Sequence, residues 1–191
     1  MKIGVLALQG AFQEHVPHLE RLGAEPVFVR LPQDLPGLSG LILPGGESTV
    51  MGKLAEKYEL MEPLREFAGK RAVWGICAGM ILLAENVDRD QPGLEVLDIE
   101  VTRNAYGSQR NSFIREVCLG APGEPPFPGV FIRAPRIESV GSGVTPVALL
   151  PDETVVGVCR DRVMATAFHP ELTEDDRMHR RFLDMAAGGD A

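Results

Sequence analysis

Apolar residues along the chain alternate between short unbroken runs and helix-spaced stripes. Lys2 to Leu8, KIGVLAL, is a nearly continuous apolar run of strand length, the pattern of a parallel strand covered on both faces. Gln9-Gly10 leads from it into Ala11 to Leu22, where Phe12, Val16, Leu19 and Leu22 recur at helical spacing and Gly23 supplies a stop. Ala24 to Arg30 reads as a second strand, Pro32 to Pro36 as a loop and Gly40 to Leu43 as a third strand. A long helical pattern follows through Met51, Leu54, Leu60, Leu64 and Phe67. Then comes the apolar run Ala72-Val73-Trp74 and, after a glycine-flanked turn, a helical pattern from Met80 to Ala84. This β-α-β alternation predicts an α/β fold around a mostly parallel sheet.

Between Pro92 and Gly143 the pattern changes: prolines and glycines gather, and the candidate strands are short, at Leu94–Thr102, Asn111–Leu119, Gly129–Arg133 and Ile137–Val140. Such spacing suggests antiparallel hairpins added to the parallel core. Val144–Leu150, Thr154–Cys159 and Val163–Ala167 read as further strands. No linker or internal repeat interrupts the chain, so residues 1–191 are expected to form one domain, with the tail Ala186–Ala191 frayed.

Composition adds exclusions. A hydrophobic content of 45% in 191 residues supports a full core for one ordinary domain. The formal net charge of −8 argues against nucleic acid or an anionic membrane as the main partner. No apolar run approaches the roughly 20 residues of a membrane span, and Met1-Lys2-Ile3 enters a strand without a signal peptide's architecture. Three cysteines, without metal-type pairing, fit a reducing cytoplasm. A cytoplasmic protein without metal or cofactor is the expectation.

The chemistry centres on Gly75-Ile76-Cys77-Ala78-Gly79, a G-x-C-x-G turn between strand and helix. This is the thiol counterpart of the nucleophile elbow, in which flanking glycines let strand and helix approach while the nucleophile sits on strained backbone. A thiol at a helix N-terminus meets the positive end of the dipole, which favours the thiolate, and the Ala78 amide points where an oxyanion would develop. Cys77 is therefore expected to be presented rather than packed, against the alternative of one more buried apolar cysteine. Pro44-Gly45-Gly46-Glu47-Ser48-Thr49 leaves the third strand with two glycines and reaches a helix start, so its amides are free to face a ligand and Gly46 is a candidate second oxyanion donor. Both loops would meet at one sheet edge, where open α/β sheets place their sites.

A base is found late. The strand ending at Ala167 runs into Phe168-His169-Pro170-Glu171, and Pro170 is expected to hold the segment extended so that His169 and Glu171 project to one face. A histidine and the carboxylate that orients it would complete a Cys-His-acid triad. Arg103 and Arg133 fall at strand ends, and either could hold a substrate carboxylate or be an ordinary surface arginine.

The elbow together with His169-Pro170-Glu171 resembles a class I glutamine amidotransferase domain. Within that class the chain is similar to the family of glutaminase subunits of pyridoxal 5′-phosphate synthase, through LALQGAFQEH at Leu6 to His15, LPGGEST at Leu43 to Thr49, RNAYGSQRNSF at Arg103 to Phe113, FIRAP at Phe131 to Pro135 and AFHPELTEDDRMHRRF at Ala167 to Phe182. The resemblance implies a flavodoxin-like three-layer fold and hydrolysis of L-glutamine to L-glutamate and ammonia through a thioester. Cys77 would attack, His169 would move the protons, Glu171 would orient His169, and the Gly46 and Ala78 amides would form the oxyanion hole. Gly46, Glu47, Ser48, Arg103, Ile132 and Arg133 would bind glutamine, and Gln9 would lie at the partner interface. The implied partner is a (β/α)8-barrel synthase subunit that receives the ammonia to build pyridoxal 5′-phosphate, in a complex of twelve of each subunit, with glutaminase activity low until docking orders the oxyanion hole.

Two alternatives stand beside this reading. The chain could be the glutaminase of another pathway, such as imidazole glycerol phosphate synthesis, which the co-purifying synthase would reveal. Small α/β proteins with a cysteine elbow also act as redox sensors or chaperones, but that role has no use for His169-Pro170-Glu171. His15, His18 and His179 read as solvated helix positions, and Cys118 and Cys159 as buried strand residues.

Overall fold

In the computed structural model, residues 1–105, 112–120 and 123–188 are described. The elements in chain order are β1 (Lys2–Leu6), α1 (Val16–Arg21), β2 (Glu25–Val29), β3 (Gly40–Leu43), α2 (Ser48–Lys57), α3 (Met61–Ala68), β4 (Ala72–Ile76), α4 (Ala78–Leu83), β5 (Ala84–Val87), β6 (Leu97–Thr102), β7 (Ser112–Val117), β8 (Phe127–Ile132), β9 (Arg136–Val140), β10 (Thr145–Leu149), β11 (Val155–Arg160), β12 (Val163–Thr166) and α5 (Arg177–Ala186). The main sheet has the order β10-β11-β12-β4-β3-β1-β2. Its strands from β12 to β2 pair in parallel, while β11 and β10 add an antiparallel edge.

Strand β4 lies at the centre and every one of its residues is buried, as a strand covered on both faces must be. Its side chains alternate between two helical layers. Trp74 meets His179 and Phe182 of α5 at ring-centroid distances of 5.1 and 5.7 Å. Gly75 faces the other way, where a methyl group would come within 2.6 Å of the Gly79 carbonyl and of Leu83, both on α4. The three-layer α/β architecture expected from the sequence is therefore present. The inserted region makes two small sheets: β7 and β8 form an antiparallel hairpin, while β5 pairs with β6 in parallel and β6 with β9 antiparallel.

Several boundaries differ from the sequence reading. The helical stripe from Ala11 to Leu22 becomes a 3₁₀ turn, Gln13–His15, followed by α1. Pro32–Asp34 is a 3₁₀ turn within the expected loop. The long stripe through Met51 and Phe67 is two helices. Glu59 takes φ 56, the Leu60 amide reaches back to the Ala55 carbonyl at 2.8 Å, and Leu60 is fully buried. Such a left-handed stop preserves the apolar spacing while turning the chain, so hydropathy alone does not reveal it. Ala84 opens β5 instead of closing a helix. Ala186 is not frayed: it ends α5 and is buried, close enough to Gly40 that a methyl there would lie 3.1 Å from its Cβ. Asn111, expected to start a strand, and residues 189–191 of the tail lie outside the described residues.

The polar residues hold the main correction. His15, His18 and His179 are 0, 3 and 0% exposed, not solvated. They pack around Trp74 between the 3₁₀ turn, α1 and α5, where their rings do the work of aromatic core residues. Cys159 is buried as expected, but Cys118 is exposed, since it follows the fully buried Val117 and takes the opposite face of its strand. Among the described residues no helix is long and apolar enough to cross a membrane, and no group of side chains is arranged to hold a metal ion.

Burial lowers the pKa of His15 to about 4, only partly opposed by the charge of Glu171, and burial also holds His179 well below its ordinary value. For a histidine kept neutral by the fold, stability is fully present above the unfolded value near 6.5 and is lost as pH falls toward the folded value. His15 alone should thus cost the fold about 2 kcal/mol between roughly pH 7 and pH 5. Urea unfolding at the two pH values should show this loss, and His15→Gln, which does not titrate, should reduce it.

Candidate active site

Sheet register gathers the functional loops at one edge. Leu43 of β3 pairs with Gly75, and Thr166 of β12 pairs with Ile76, so the loop after β3, the elbow after β4 and the segment after β12 all emerge together at the C-terminal ends of parallel strands. The elbow is as tight as its glycines suggest. Cys77 has φ 50 and ψ −99, a conformation that side-chain-bearing residues rarely adopt. Its amide donates to the Thr166 carbonyl at 2.8 Å, and its carbonyl accepts from the Ile81 amide at 3.1 Å. A methyl group at Gly79 would sit 2.0 Å from the Leu43 carbonyl oxygen, so only glycine permits this approach of α4 to β3.

Cys77 is 6% exposed and forms part of a cavity wall, so it is buried in the protein yet open to the cavity. Its thiol lies 4.0 Å from the Ile132 carbonyl oxygen. His169 Nδ1 donates to Glu171 Oε1 at 2.7 Å, and the Glu171 side chain is completely buried. The route to this contact differs from the expected extended strand: Pro170 opens a 3₁₀ turn, Pro170–Leu172, that folds Glu171 back under the ring. With Nδ1 committed to Glu171, Nε2 has no hydrogen-bond partner among the described residues, and the ring lines the same cavity as Cys77. Burial opposes a charge on His169, but the neighbouring Cys77 thiol and the Glu171 carboxylate outweigh it and raise the pKa to about 10. The ring rests against the loop after β3, where a methyl group on Gly45 would lie 2.4 Å from its Cε1.

Every other residue singled out from the sequence lines the same cavity of about 270 Å³: Gln9, Gly46, Glu47, Ser48, Ala78, Arg103, Ile132 and Arg133. Gln9 Oε1 accepts from the Glu47 amide at 2.7 Å, and the Gly45 carbonyl accepts from the Ala11 amide at 2.9 Å. A planar trans peptide then turns the Gly46 N–H to the other side of the loop, away from Ala11. Glu47, not Ser48 or Thr49, caps α2, accepting from the Val50 amide at 2.9 Å and the Thr49 amide at 3.4 Å. Burial would raise the Glu47 pKa, but these amides and Arg103 hold it below the ordinary value. Arg133 takes the left-handed φ of 44 as the chain leaves β8.

Arg103 is already engaged. It donates to Glu47 Oε1 and Thr49 Oγ1 at 2.8 and 2.9 Å, and to Gln91 Oε1 at 2.8 Å. Gln91 Oε1 also accepts from the hydroxyls of Ser48 and Thr49 at 3.1 and 3.2 Å, so this one amide ties the loop after β3 to the arginine. Sequence reasoning missed it, because a glutamine in the irregular loop between β5 and β6 carries no periodicity or motif that marks it.

A sequence model described as the SNO glutamine amidotransferase family matches residues 5–187. The pyridoxal 5′-phosphate synthase subunit PdxT of Chloroflexus aurantiacus is 52% identical, over 97% of this chain and 100% of that protein. The subunit of the same name from Deinococcus radiodurans is 54% identical, over 97% of each. Among solved structures, a crystal structure of a glutamine amidotransferase superposes with a TM-score of 0.91 at 46% identity, covering 97% of this chain and 98% of that one. PurLQS from Thermotoga maritima shares the fold, with a TM-score of 0.72 at 17% identity over 96% and 97% of the two chains.

Gly45→Ala should displace the His169 ring and slow alkylation of Cys77 by iodoacetamide at neutral pH by about tenfold, while the far-UV circular dichroism stays that of the parent. Mass spectrometry of the modified peptide over time checks this.

Proposed function

The chain belongs to the SNO glutamine amidotransferase family, and from that premise we propose that it hydrolyses L-glutamine to L-glutamate and ammonia and passes the ammonia to a pyridoxal 5′-phosphate synthase barrel subunit. The observation that carries this reading is Cys77 on strained backbone, sharing a cavity with a histidine that is fixed by a buried glutamate.

The chemistry runs as acyl transfer. Cys77 Sγ attacks the side-chain carboxamide carbon of glutamine, forming a tetrahedral oxyanion held by the amides of Ala78 and Gly46. His169 gives its proton to the departing nitrogen, ammonia leaves, and a thioester remains. A water molecule then loses a proton to His169 as its oxygen attacks the thioester, and collapse releases glutamate and the free thiol. Glu171 keeps His169 in the tautomer with Nδ1–H, so that Nε2 serves both transfers.

Substrate recognition follows from charge. An α-amino acid carries one cation and one anion a few ångströms apart, and the cavity carries the complementary pair, Arg103 and Glu47, now bonded to each other. Arg103 takes the α-carboxylate and Glu47 the ammonium, each exchanging a protein partner for a ligand of the same charge. Ser48, Ile132 and Arg133 complete the walls, with the Ile132 carbonyl as an acceptor beside Cys77. Gln9, bonded to the Glu47 amide, connects the oxyanion loop to the outer surface where the barrel subunit docks, in a complex of twelve of each subunit.

The test is glutamate release by the chain alone and with a pyridoxal phosphate synthase barrel subunit. The barrel should stimulate release strongly, and Cys77→Ala should abolish it. His169→Asn should reduce kcat by roughly 10³ or more, and Glu171→Gln by a smaller factor, as expected for a residue acting through another. Equal rates with and without the barrel would remove the partner from this reading, and no glutamate under either condition would remove the reaction.

A further inference from the structure

Behind Glu171 lies a buried histidine cluster that the reaction above does not use. His15 Nδ1 is 2.9 Å from His179 Nε2. His18 stacks on His179 with centroids 4.1 Å apart and planes 2° from parallel. Its Nδ1–H donates to Asp176 Oδ1 at 2.6 Å, and its Nε2 lies 3.4 Å from the backbone carbonyl of Glu171. Arg21 in turn holds Asp176 at 2.7 and 3.1 Å. The turn that carries His15 packs against the turn that carries Glu171.

Three buried atoms in this group have no hydrogen-bond partner among the described residues: His15 Nε2, His179 Nδ1 and Glu171 Oε2. Their pattern selects a tautomer. If His15 Nδ1 donated to His179, then His179 Nδ1–H would be a buried donor without an acceptor, and His15 would turn a bare lone pair toward the side of a carboxylate. If His179 Nε2–H donates to His15 Nδ1, the bare atom at His179 is only an acceptor, and the free position of His15 becomes an N–H. Each arrangement leaves one buried donor and one bare acceptor without a partner, but the second turns the donor, His15 Nε2–H, rather than a lone pair toward the side of the Glu171 carboxylate, whose negative charge favours it.

We propose that His15 and His179 are positioning residues of the triad, with His179 fixing the tautomer in which His15 presents Nε2–H toward the free oxygen of the Glu171 carboxylate. His18 steadies the same glutamate through its backbone. The N–H dipole acts on the carboxylate without a hydrogen bond to it, and favours the orientation that keeps one oxygen on His169 over rotation between two equivalent ones. Besides burial, the Glu171 charge is the largest influence on His15, in line with the closeness of the two turns. The other titratable and charged groups facing the pair are His169 after β12, His18 and Arg21 on α1, and Asp176 at the start of α5. The inference rests on the proposed glutaminase reaction for its kinetic consequence, but not for its structural one.

The test compares His15→Leu, which removes both ring nitrogens, with His15→Gln, whose amide keeps a donor near the Nε2 position. Two readouts are taken. In the isolated chain, ¹⁵N NMR follows the titration of His169, which should fall in His15→Leu by about half a pH unit or more and be largely restored in His15→Gln. In the complex with the barrel subunit, His15→Leu should lower kcat by about tenfold to a hundredfold with KM nearly unchanged, and His15→Gln should recover most of it. Equal effects of Leu and Gln, or a loss of activity that tracks the folded fraction while His169 titrates as in the parent, would reduce His15 to a core residue and overturn the proposal. Should the parent release no glutamate, the reaction is at fault, and the His169 titration still decides the role of His15.

Discussion

The left-handed backbone of Cys77 is the constraint on which the rest of the molecule depends. Such a conformation costs about 1–3 kcal/mol and persists only where the surroundings leave no alternative. Here the amide of Cys77 is bound to β12 through Thr166 and its carbonyl to α4 through Ile81. Gly79, pressed against the Leu43 carbonyl, pins the start of α4 to β3. Relaxing Cys77 would therefore require β3, β4 and β12 to separate, and these are the central strands of the sheet. Burial of every residue in β4 is the energetic counterweight to one strained residue at its end.

The same edge arrangement holds the groups proposed to bind glutamine, but by contacts that differ in kind. Cys77, His169 and Glu171 are fixed by buried backbone and a buried carboxylate, whereas Arg103, Glu47, Thr49 and Gln91 hold one another by polar contacts at the cavity rim. Arg103 and Glu47 are 14 and 39% exposed, so a charged ligand can replace their mutual bond without leaving either ion bare. In the proposed reaction the reacting groups would be rigid and the recognition groups exchangeable. Gln91, with three donors on one oxygen, keeps that exchange from loosening the loop that carries Gly46.

Much of this was legible in the sequence, for identifiable reasons. The elbow, the loop after β3 and His169-Pro170-Glu171 are local: a few adjacent residues force a backbone shape, and the parallel strand pattern brings their ends together. The helix break at Glu59 was not legible, because a left-handed stop leaves the apolar spacing intact. Gln91 was not, because its importance comes from residues 42, 43 and 12 positions away. The three histidines were read as solvated because hydropathy treats an imidazole as polar. Their burial depends on pairing across 164 and 158 residues, to His179 and Asp176, which no local window contains.

That misreading has a physical lesson for the triad. A fold gains little from placing histidines in its core in place of aromatic residues of similar size, and it loses stability in acid by doing so. What an imidazole offers that phenylalanine does not is a neutral ring with one donor and one acceptor, whose orientation a neighbour can fix. Glu171 needs such a group: it is buried, bears on His169 through one oxygen, and has a second oxygen that water cannot reach freely. A cation there would neutralise the carboxylate that supports His169, and an apolar residue would offer it no dipole. In the proposed arrangement a neutral N–H of set direction turns its positive end toward that oxygen without cancelling the charge, and His15 is kept neutral by the burial that made it look out of place.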